Sequence, residues 1–382
     1  MRLKEQSIKN FLKGHMSAAI IDSLMDISNP FSNGEKMVFT GSAIPYYLWH
    51  KGKSENYIYK PPSDLDMVLS TPLGNERTIS NIQKFRNIMS DLTAEAANHA
   101  GLNVSFANEN RYDNTLMIKG EYSPAQVQEA LFGSRIKEIL DQYGIDKVDI
   151  KSPITVTTTM DTMVLDNTIL NIEKFDCHPN AEESALRYQS LSTSLAFKIA
   201  RCTLRRGFEQ AERRPGDVVD AYNIVNAHGY QHEPALLRIM TVIALALQVP
   251  TSFDPNEYTG GLLHRDPAEL HEALIGHYKT SFSKASTDKI IKTWEDIVND
   301  VFLQHSLDAP ILTEQEDEFI TKFLMPDSGN PKNCIMPELL QGTKELKDVF
   351  NKHDELAEKI KNSTFLQQRI SYRQISPSEI AI

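Results

Sequence analysis

The stretch that decides the fold is Lys36-Met-Val-Phe-Thr-Gly-Ser42, in which a short apolar run ends at a Gly-Ser pair. Its β-branched and aromatic residues predict a strand over residues 36–40. Helical spacing resumes over residues 43–50, so the Gly-Ser pair is expected at a strand-to-helix turn. Backbone N–H groups are free at a helix N-terminus, and glycine lets a ligand approach the backbone closely. The turn at Gly41 and Ser42 is therefore a candidate phosphate-binding site.

Two aspartates follow on the next predicted strand. The segment Asp64-Leu-Asp-Met-Val-Leu-Ser70 alternates as a strand does. Because residues i and i+2 of a strand point the same way, Asp64 and Asp66 are expected to present their carboxylates side by side. A divalent cation relieves the repulsion between them, and Mg²⁺ suits oxygen ligands and substrate phosphates. An isolated Asp-x-Asp is more often an exposed strand end, but its position after a Gly-Ser turn favours metal binding.

Further charged residues that are candidates for binding or catalysis lie later in the sequence. Glu173 sits in an apolar strand, where it is either a third acidic ligand or an outward-facing residue. Lys198, Arg201 and Arg205 share one face of a predicted helix. This basic stripe either binds triphosphate oxygens or forms structural salt bridges. Asp217 either caps the next helix or holds Lys198 or an arginine in position.

The secondary-structure pattern changes near residues 179–188, where mixed helices and strands give way to helices alone. This change predicts an α+β fold, with a mixed-sheet α/β domain over residues 1–180 and an all-helical domain over residues 181–382. Predicted helices cover residues 3–27, 43–50, 77–99, 124–143, 190–206, 217–228, 233–248, 268–278, 287–303, 313–324 and 346–360. Predicted strands cover residues 36–40, 64–70, 103–107, 115–119, 148–158 and 168–175, and residues 51–62 are a predicted loop.

Composition excludes several classes of protein. The chain has 382 residues, of which 41% are hydrophobic, so a wholly disordered chain is excluded. Its three cysteines are far apart, which argues against a disulfide scaffold or zinc finger and favours the cytoplasm. The net charge of −11 restricts nucleic-acid contact to a local basic patch. The most apolar stretch is too short to span a membrane.

The motifs that carry chemistry follow one another over residues 38 to 225: Gly41-Ser42, Ser63-Asp64-Leu65-Asp66, Leu170-Asn-Ile-Glu173, Lys198 with trailing arginines, and Gly216-Asp217-Val-Val-Asp220. In order and rough spacing they resemble the AbiEii/AbiGii family of nucleotidyltransferase-like toxins. The resemblance implies a polymerase-β-like nucleotidyltransferase core, with a helical domain that contributes lysine and aspartate to the cleft. Family members are toxins of toxin–antitoxin systems, and some transfer nucleotides to the 3′ end of tRNA.

What the resemblance implies for this chain is transfer of a nucleoside monophosphate from an NTP to an acceptor hydroxyl, with Mg²⁺ or Mn²⁺ as cofactor. The implied site residues are Asp64, Asp66 and Glu173 for the metal, Gly41, Ser42, Lys198, Arg201 and Arg205 for the NTP, and Asp217 to orient Lys198. Implied partners are the NTP, an RNA acceptor such as tRNA, and a cognate antitoxin protein. No membrane partner is expected.

The sequence departs from the family pattern at three places that bear on substrate choice. Lys60 stands where an arginine usually precedes the Asp pair, and Gly216 stands where the helical motif often has arginine. The insert over residues 51–62 is also longer than the family pattern leads us to expect. Two alternatives stay open. The acceptor could be a protein or a small molecule, or the chain could be a nucleotide-binding module without catalysis.

Overall fold

The computed structural model describes residues 3–27, 36–71, 79–99, 103–107, 115–166, 172–203, 215–232, 234, 237, 240–241 and 284–301. The chain forms two compact units. The first comprises Met1–Leu165 with Ile172–Gln189, and the second comprises Ser190–Ile382 with Asp166–Asn171. The expected α+β class is confirmed, because the first unit holds a sheet with helices and the described elements of the second are helices.

The first unit is built on a seven-stranded mixed sheet with the strand order β3-β4-β5-β2-β1-β7-β6. The central strand β1 pairs antiparallel with β2 and parallel with β7. The strands are β1 (Lys36–Thr40), β2 (Leu65–Thr71), β3 (Asn103–Ala107), β4 (Thr115–Tyr122), β5 (Ile154–Asp166), β6 (Ile172–Glu173) and β7 (Leu186–Gln189). The division predicted at residue 180 would cut β7 away from the sheet to which it belongs.

The described part of the first unit contains five helices. They are α1 (Glu5–Asp26), α2 (Ala43–His50), α3 (Ile79–His99), α4 (Pro124–Phe132) and α5 (Ile136–Gln142). The Tyr122 hydroxyl donates to the Leu12 carbonyl of α1 at 3.5 Å, and the Thr93 hydroxyl of α3 lies 3.8 Å from the Met160 sulfur. Tyr122 and Met160 lie on the same face of the β4–β5 ladder, so α1 and α3 both pack there.

Helix α1 forms because its apolar residues recur at helical spacing. Ile8, Leu12, Ile20 and Leu24, the residues whose spacing predicts the helix, are all buried. Burying one such side chain contributes about 1.5–3 kcal/mol relative to leaving it exposed. The apolar stripe therefore fixes which side of α1 faces the core.

The segment 51–62 is a loop, as predicted, and aromatic residues attach it to the helices. The Tyr57 ring stacks on Trp49 of α2 with centroids 4.9 Å apart, and the Tyr59 ring lies 4.7 Å from that of Phe11 in α1. Such pairs stabilise a contact by about 0.5–1.5 kcal/mol beyond burial. The loop that leads from α2 to the aspartate pair is thereby held in place.

The described helices of the second unit are α6 (Leu191–Thr203), α7 (Pro215–Val225) and α8 (Lys284–Val301). Helix α6 buries Leu195, Ile199 and Cys202, and α7 buries Val218 and Val219 among other residues. The predicted helices over residues 268–278, 313–324 and 346–360 and most of 233–248 lie outside the described residues. Within the described part of the chain, no helix combines the length and apolar character that crossing a bilayer requires.

The single helix predicted over residues 124–143 is wrong, because the structure divides it into α4 and α5. Gly133 ends α4, and its N–H donates to the Glu129 carbonyl at 2.7 Å. The Ser134 hydroxyl then donates to the Ala130 carbonyl and accepts from the Ile136 N–H. Side chains that bond to nearby backbone in this way compete with helix continuation.

Candidate functional site

The turn after β1 brings Gly41 against the carboxylate of Asp66. Antiparallel pairing of β1 with β2 sets Thr40 directly opposite Asp66. Gly41 has φ of 76°, in the left-handed region that favours glycine. A Cβ on Gly41 would collide with Asp66 Oδ2, so glycine alone lets the carboxylate lie this close to the turn. The predicted phosphate-binding turn and one predicted metal ligand are therefore adjacent.

Ser42 directly precedes α2 and is buried, with 6% of its surface exposed. Its side chain makes no capping hydrogen bond to the helix. The serine hydroxyl consequently does not occupy the N–H groups of the first helical turn, which are the groups that bind anions at a helix N-terminus. This arrangement suits the phosphate role expected of Ser42, which stays a prediction.

Asp64 lies in the bend just before β2, whereas Asp66 lies within the strand, and both are partly exposed. The Ser63 hydroxyl donates to Asp64 Oδ1 at 2.6 Å. Because the strand begins after Asp64, the alternation of side chains along β2 orients Asp66 but does not by itself orient Asp64. The sheet therefore fixes the direction of the Asp66 side chain, but it does not fix that of Asp64, as the expected side-by-side pair requires.

Lys13 of α1 lies near Asp64, which the sequence pattern did not reveal. Burial lowers the pKa of the Lys13 ammonium, and the nearby Asp64 carboxylate opposes that shift. The lysine therefore places a positive charge within electrostatic reach of Asp64. Its only signal in the sequence is a charged residue next to the buried Leu12, which amphipathic helices show commonly.

The sheet register places Glu173 on the other face from Asp66. Phe39 pairs with Tyr188, and Tyr188 pairs with Glu173. Thr40, the next residue of β1, pairs with Asp66. Paired residues share a face and successive residues alternate, so the two carboxylates point away from each other. This corrects the expectation that Glu173 completes the acidic set.

Glu173 instead belongs to an aromatic cluster on its own face. The Tyr188 hydroxyl donates to Glu173 Oε2 at 3.0 Å. Burial raises the pKa of the Glu173 carboxyl, and the Tyr188 hydrogen bond partly opposes that shift. The Tyr188 ring packs on Phe175, which in turn packs on Tyr47 of α2. The structure therefore gives Glu173 a packing role at the edge of the sheet.

The strand beside β2 carries an aspartate that the sequence reasoning passed over. Asp161 lies in β5, opposite Thr115 of β4, and β5 is hydrogen-bonded to β2 in the sheet. Its signal in the sequence is an acidic residue inside a threonine-rich strand, where aspartate is disfavoured. Asp161 therefore belongs to the strand next to the one that carries Asp66.

The carboxylates at this site suit a Mg²⁺ ion that takes its remaining ligands from water and a substrate rather than from the protein. Across the residues that the structure describes, no three His, Cys, Asp or Glu side chains are grouped closely enough to hold a metal ion. Mg²⁺ is commonly held by one or two carboxylates, with water and substrate phosphates as its other ligands. Asp66 and Asp64 match that pattern, and the adjacent turn at Gly41 and Ser42 suits the phosphates.

In the second unit, Lys198 of α6 forms a buried triad with two aspartates of α7. Its Nζ lies 3.0 Å from Asp217 Oδ1 and 2.8 Å from Asp220 Oδ2. The three side chains are 5%, 9% and 2% exposed. The structure brings Asp217 to Lys198 as expected and adds Asp220. Since two carboxylates already match the lysine charge, Lys198 is not an uncompensated cation for a triphosphate.

The other predicted basic residues are described only in part. The backbone of Arg201 lies in α6. Arg205 lies outside the described residues, as do Arg206, Arg213 and Arg214. The expected basic stripe therefore stays a prediction.

No family model matches the chain, and no curated protein matches it at a significant level. The resemblance to the AbiEii/AbiGii family rests on the motifs quoted above, and what it implies is carried forward as a proposal.

Proposed function

We propose that the chain is a nucleotidyltransferase that moves a nucleoside monophosphate from an NTP to an acceptor hydroxyl. The acceptor we propose is RNA, at the 3′ end of a tRNA, with the protein acting as the toxin of a toxin–antitoxin or phage-defence system. The observation that carries the proposal is the contact between Gly41 and Asp66. It joins a turn suited to phosphate with a carboxylate suited to Mg²⁺ in one place.

The proposed reaction is an in-line displacement at the α-phosphorus. The acceptor hydroxyl releases its proton to water as its oxygen forms a bond to that phosphorus, the bond to the β-phosphate oxygen breaks, and pyrophosphate leaves. Backbone N–H groups at Gly41 and Ser42 orient the phosphates, which supplies positioning and charge stabilisation. Asp64 and Asp66 would hold Mg²⁺, which when bound neutralises charge on the phosphates.

A labelled-NTP transfer assay tests the reaction and its acceptor together. The full-length chain is incubated with each of the four NTPs, labelled at the α-phosphate, and with total RNA, total protein or a small-molecule extract. Label in the RNA fraction supports the proposed acceptor. Label in the protein or metabolite fraction supports transfer to those acceptors instead. No covalent label in any fraction contradicts a nucleotidyltransferase.

A second candidate is a nucleotide-binding module without turnover. Two observations favour it: Glu173 lies away from Asp66, and the Lys198 charge is matched by its own aspartates. Calorimetry separates the candidates, because the module predicts saturable NTP binding with no labelled product. The transferase predicts both binding and product, and the absence of NTP binding contradicts both candidates.

A further inference from the structure

Asp64 lacks the support that the sheet gives to Asp66. Asp66 lies in β2 opposite Thr40, so the alternation of the strand sets the direction of its side chain. Asp64 lies in a bend before that strand begins. Because Mg²⁺ demands nearly ideal octahedral geometry, a carboxylate that binds it has to be held in one orientation. The proposed metal site therefore needs something other than the sheet to orient Asp64.

The backbone on either side of Asp64 is anchored. The Tyr57 hydroxyl donates to the Lys60 carbonyl at 2.7 Å. Two prolines follow, whose rings fix φ, and Pro62 is buried. On the other side, Leu65 begins β2 and is fully buried. Asp64 thus lies on a short segment between two anchored points, and its side chain is the part that remains to be oriented.

The hydroxyl of Ser63 restrains that side chain. It donates to Asp64 Oδ1 at 2.6 Å. This length is typical of O–H···O⁻ bonds, which measure about 2.5–2.7 Å and are about twice as strong as neutral hydrogen bonds. An ionised carboxylate has two acceptor oxygens, and Oδ2 takes no part in this bond. Asp64 can therefore accept from Ser63 and still bind a metal ion.

The bond between Ser63 and Asp64 orients a side chain rather than stabilising the fold. Ser63 is exposed and Asp64 is partly exposed. Water competes for both groups at such a position, so the bond contributes little to the free energy of unfolding. Removing the hydroxyl should consequently change what Asp64 binds and leave the fold as it is.

We propose that Ser63 is a positioning residue of the metal site, because its hydroxyl holds Asp64 Oδ1 and so leaves Oδ2 to Mg²⁺. The inference rests on the proposed function, since it concerns the same two aspartates. Ser63 acts through Asp64. Hydrogen-bond partners of metal-binding side chains, when they are removed, typically cost about 10–100-fold in metal affinity or activity.

A Mn²⁺ titration of the full-length chain tests the proposal without any turnover. Electron paramagnetic resonance follows the signal of free Mn²⁺, which falls as the ion binds. We expect Ser63→Ala to weaken Mn²⁺ binding about tenfold or more. Ser63→Thr keeps a hydroxyl at the same position, and we expect it to restore most of the affinity. Wild-type affinity in Ser63→Ala would overturn the role of Ser63.

Ser152 provides a matched control. It is an exposed serine in a bend just before β5, as Ser63 is just before β2. We expect Ser152→Ala to bind Mn²⁺ as wild type does, and both alanine variants to keep the wild-type urea midpoint. If Ser152→Ala weakens Mn²⁺ binding as much as Ser63→Ala does, the effect is not specific to Ser63 and the proposal fails.

Asp64→Asn separates failure of this inference from failure of the proposed metal site. We expect Asp64→Asn to weaken Mn²⁺ binding, and the added Ser63→Ala change to cause no further loss, because the two residues act as one unit. Additive losses would overturn the positioning role. If Asp64→Asn binds Mn²⁺ as tightly as wild type, the metal site itself is wrong. If only Ser63→Ala is without effect, the metal site stands and Ser63 has no part in it.

The magnesium dependence of NTP transfer gives a second readout. We expect Ser63→Ala to need about tenfold more Mg²⁺ for half-maximal transfer, while the rate at saturating Mg²⁺ stays near that of wild type. A lower rate at saturating Mg²⁺ with an unchanged Mg²⁺ requirement would contradict a role in orienting a metal ligand.

Discussion

At Gly41, both the backbone conformation and the contact with a candidate metal ligand depend on glycine. Its φ of 76° and its contact with Asp66 both require the absence of a side chain. Gly52 offers a matched control, because its φ is 77° and nothing lies within 4 Å of where its Cβ would stand. Comparing the two positions separates the backbone cost of alanine from displacement of the Asp66 carboxylate.

We expect Gly41→Ala and Gly52→Ala each to lose about 1–2 kcal/mol of unfolding free energy from the left-handed conformation. Urea unfolding measures that loss. Gly41→Ala should also lose NTP binding by calorimetry, because its Cβ displaces Asp66, while Gly52→Ala keeps it. Full NTP binding by Gly41→Ala would show that the Asp66 position is not needed.

Lys198 contributes to the stability of the second unit through its two aspartate partners. Removing one partner of a buried ion pair leaves charge uncompensated in a poorly solvated place. We therefore expect Lys198→Met to lower the unfolding free energy by about 3–5 kcal/mol. Lys137→Met is the control, since Lys137 and Asp141 are both about half exposed. There we expect at most about 0.5 kcal/mol, and equal losses in the two variants would contradict a buried triad.

At the scale of elements, α4 has the clearest local signal. Ser123 accepts from the Gln126 N–H at 3.3 Å, and the Gln126 side chain accepts from the Ser123 N–H at 2.9 Å. This reciprocal capping box satisfies two N–H groups that the helix leaves without partners.

We expect Ser123→Ala to cost about 0.5–2 kcal/mol in urea unfolding. Ser123→Asp should retain most of the stability, because aspartate also accepts from the N–H groups at a helix start. A Ser123→Ala variant as stable as wild type would show that α4 is held by its packing alone.

Elements set by local patterns were predictable from the sequence. The predicted bounds of β1 and α2 agree with Lys36–Thr40 and Ala43–His50 in the structure. Strand β7 was missed because Leu186–Gln189 is short and owes its conformation to parallel pairing with a distant strand. That omission also misplaced Glu173, whose face depends on the register between β6 and β7. The register of β6 against β7 cannot be predicted from the two residues of β6 alone.

At the scale of the whole molecule, each compact unit contains one of the chain's two tryptophans. Trp49 lies in α2 and Trp294 in α8, and both are buried. Labelling with 5-fluorotryptophan therefore gives one ¹⁹F resonance for each unit. The unfolding of each core can be followed in the intact chain.

Because Lys198 is buried in the second unit, we expect Lys198→Met to lower the urea midpoint reported by Trp294 more than that reported by Trp49. Equal displacement of both midpoints would show that the two units unfold as one cooperative body. The wild-type chain, labelled in the same way, is the reference for both resonances.

The most direct measurement compares Asp66→Asn with Glu173→Gln in the α-labelled NTP transfer assay. Both variants remove one carboxylate charge and keep the size of the side chain, but the two residues lie on opposite faces of the sheet. We predict that Asp66→Asn lowers transfer by at least about 100-fold. We predict that Glu173→Gln keeps wild-type transfer, because glutamine still accepts the Tyr188 hydrogen bond. Undiminished transfer by Asp66→Asn would contradict an active site at Gly41 and Asp66.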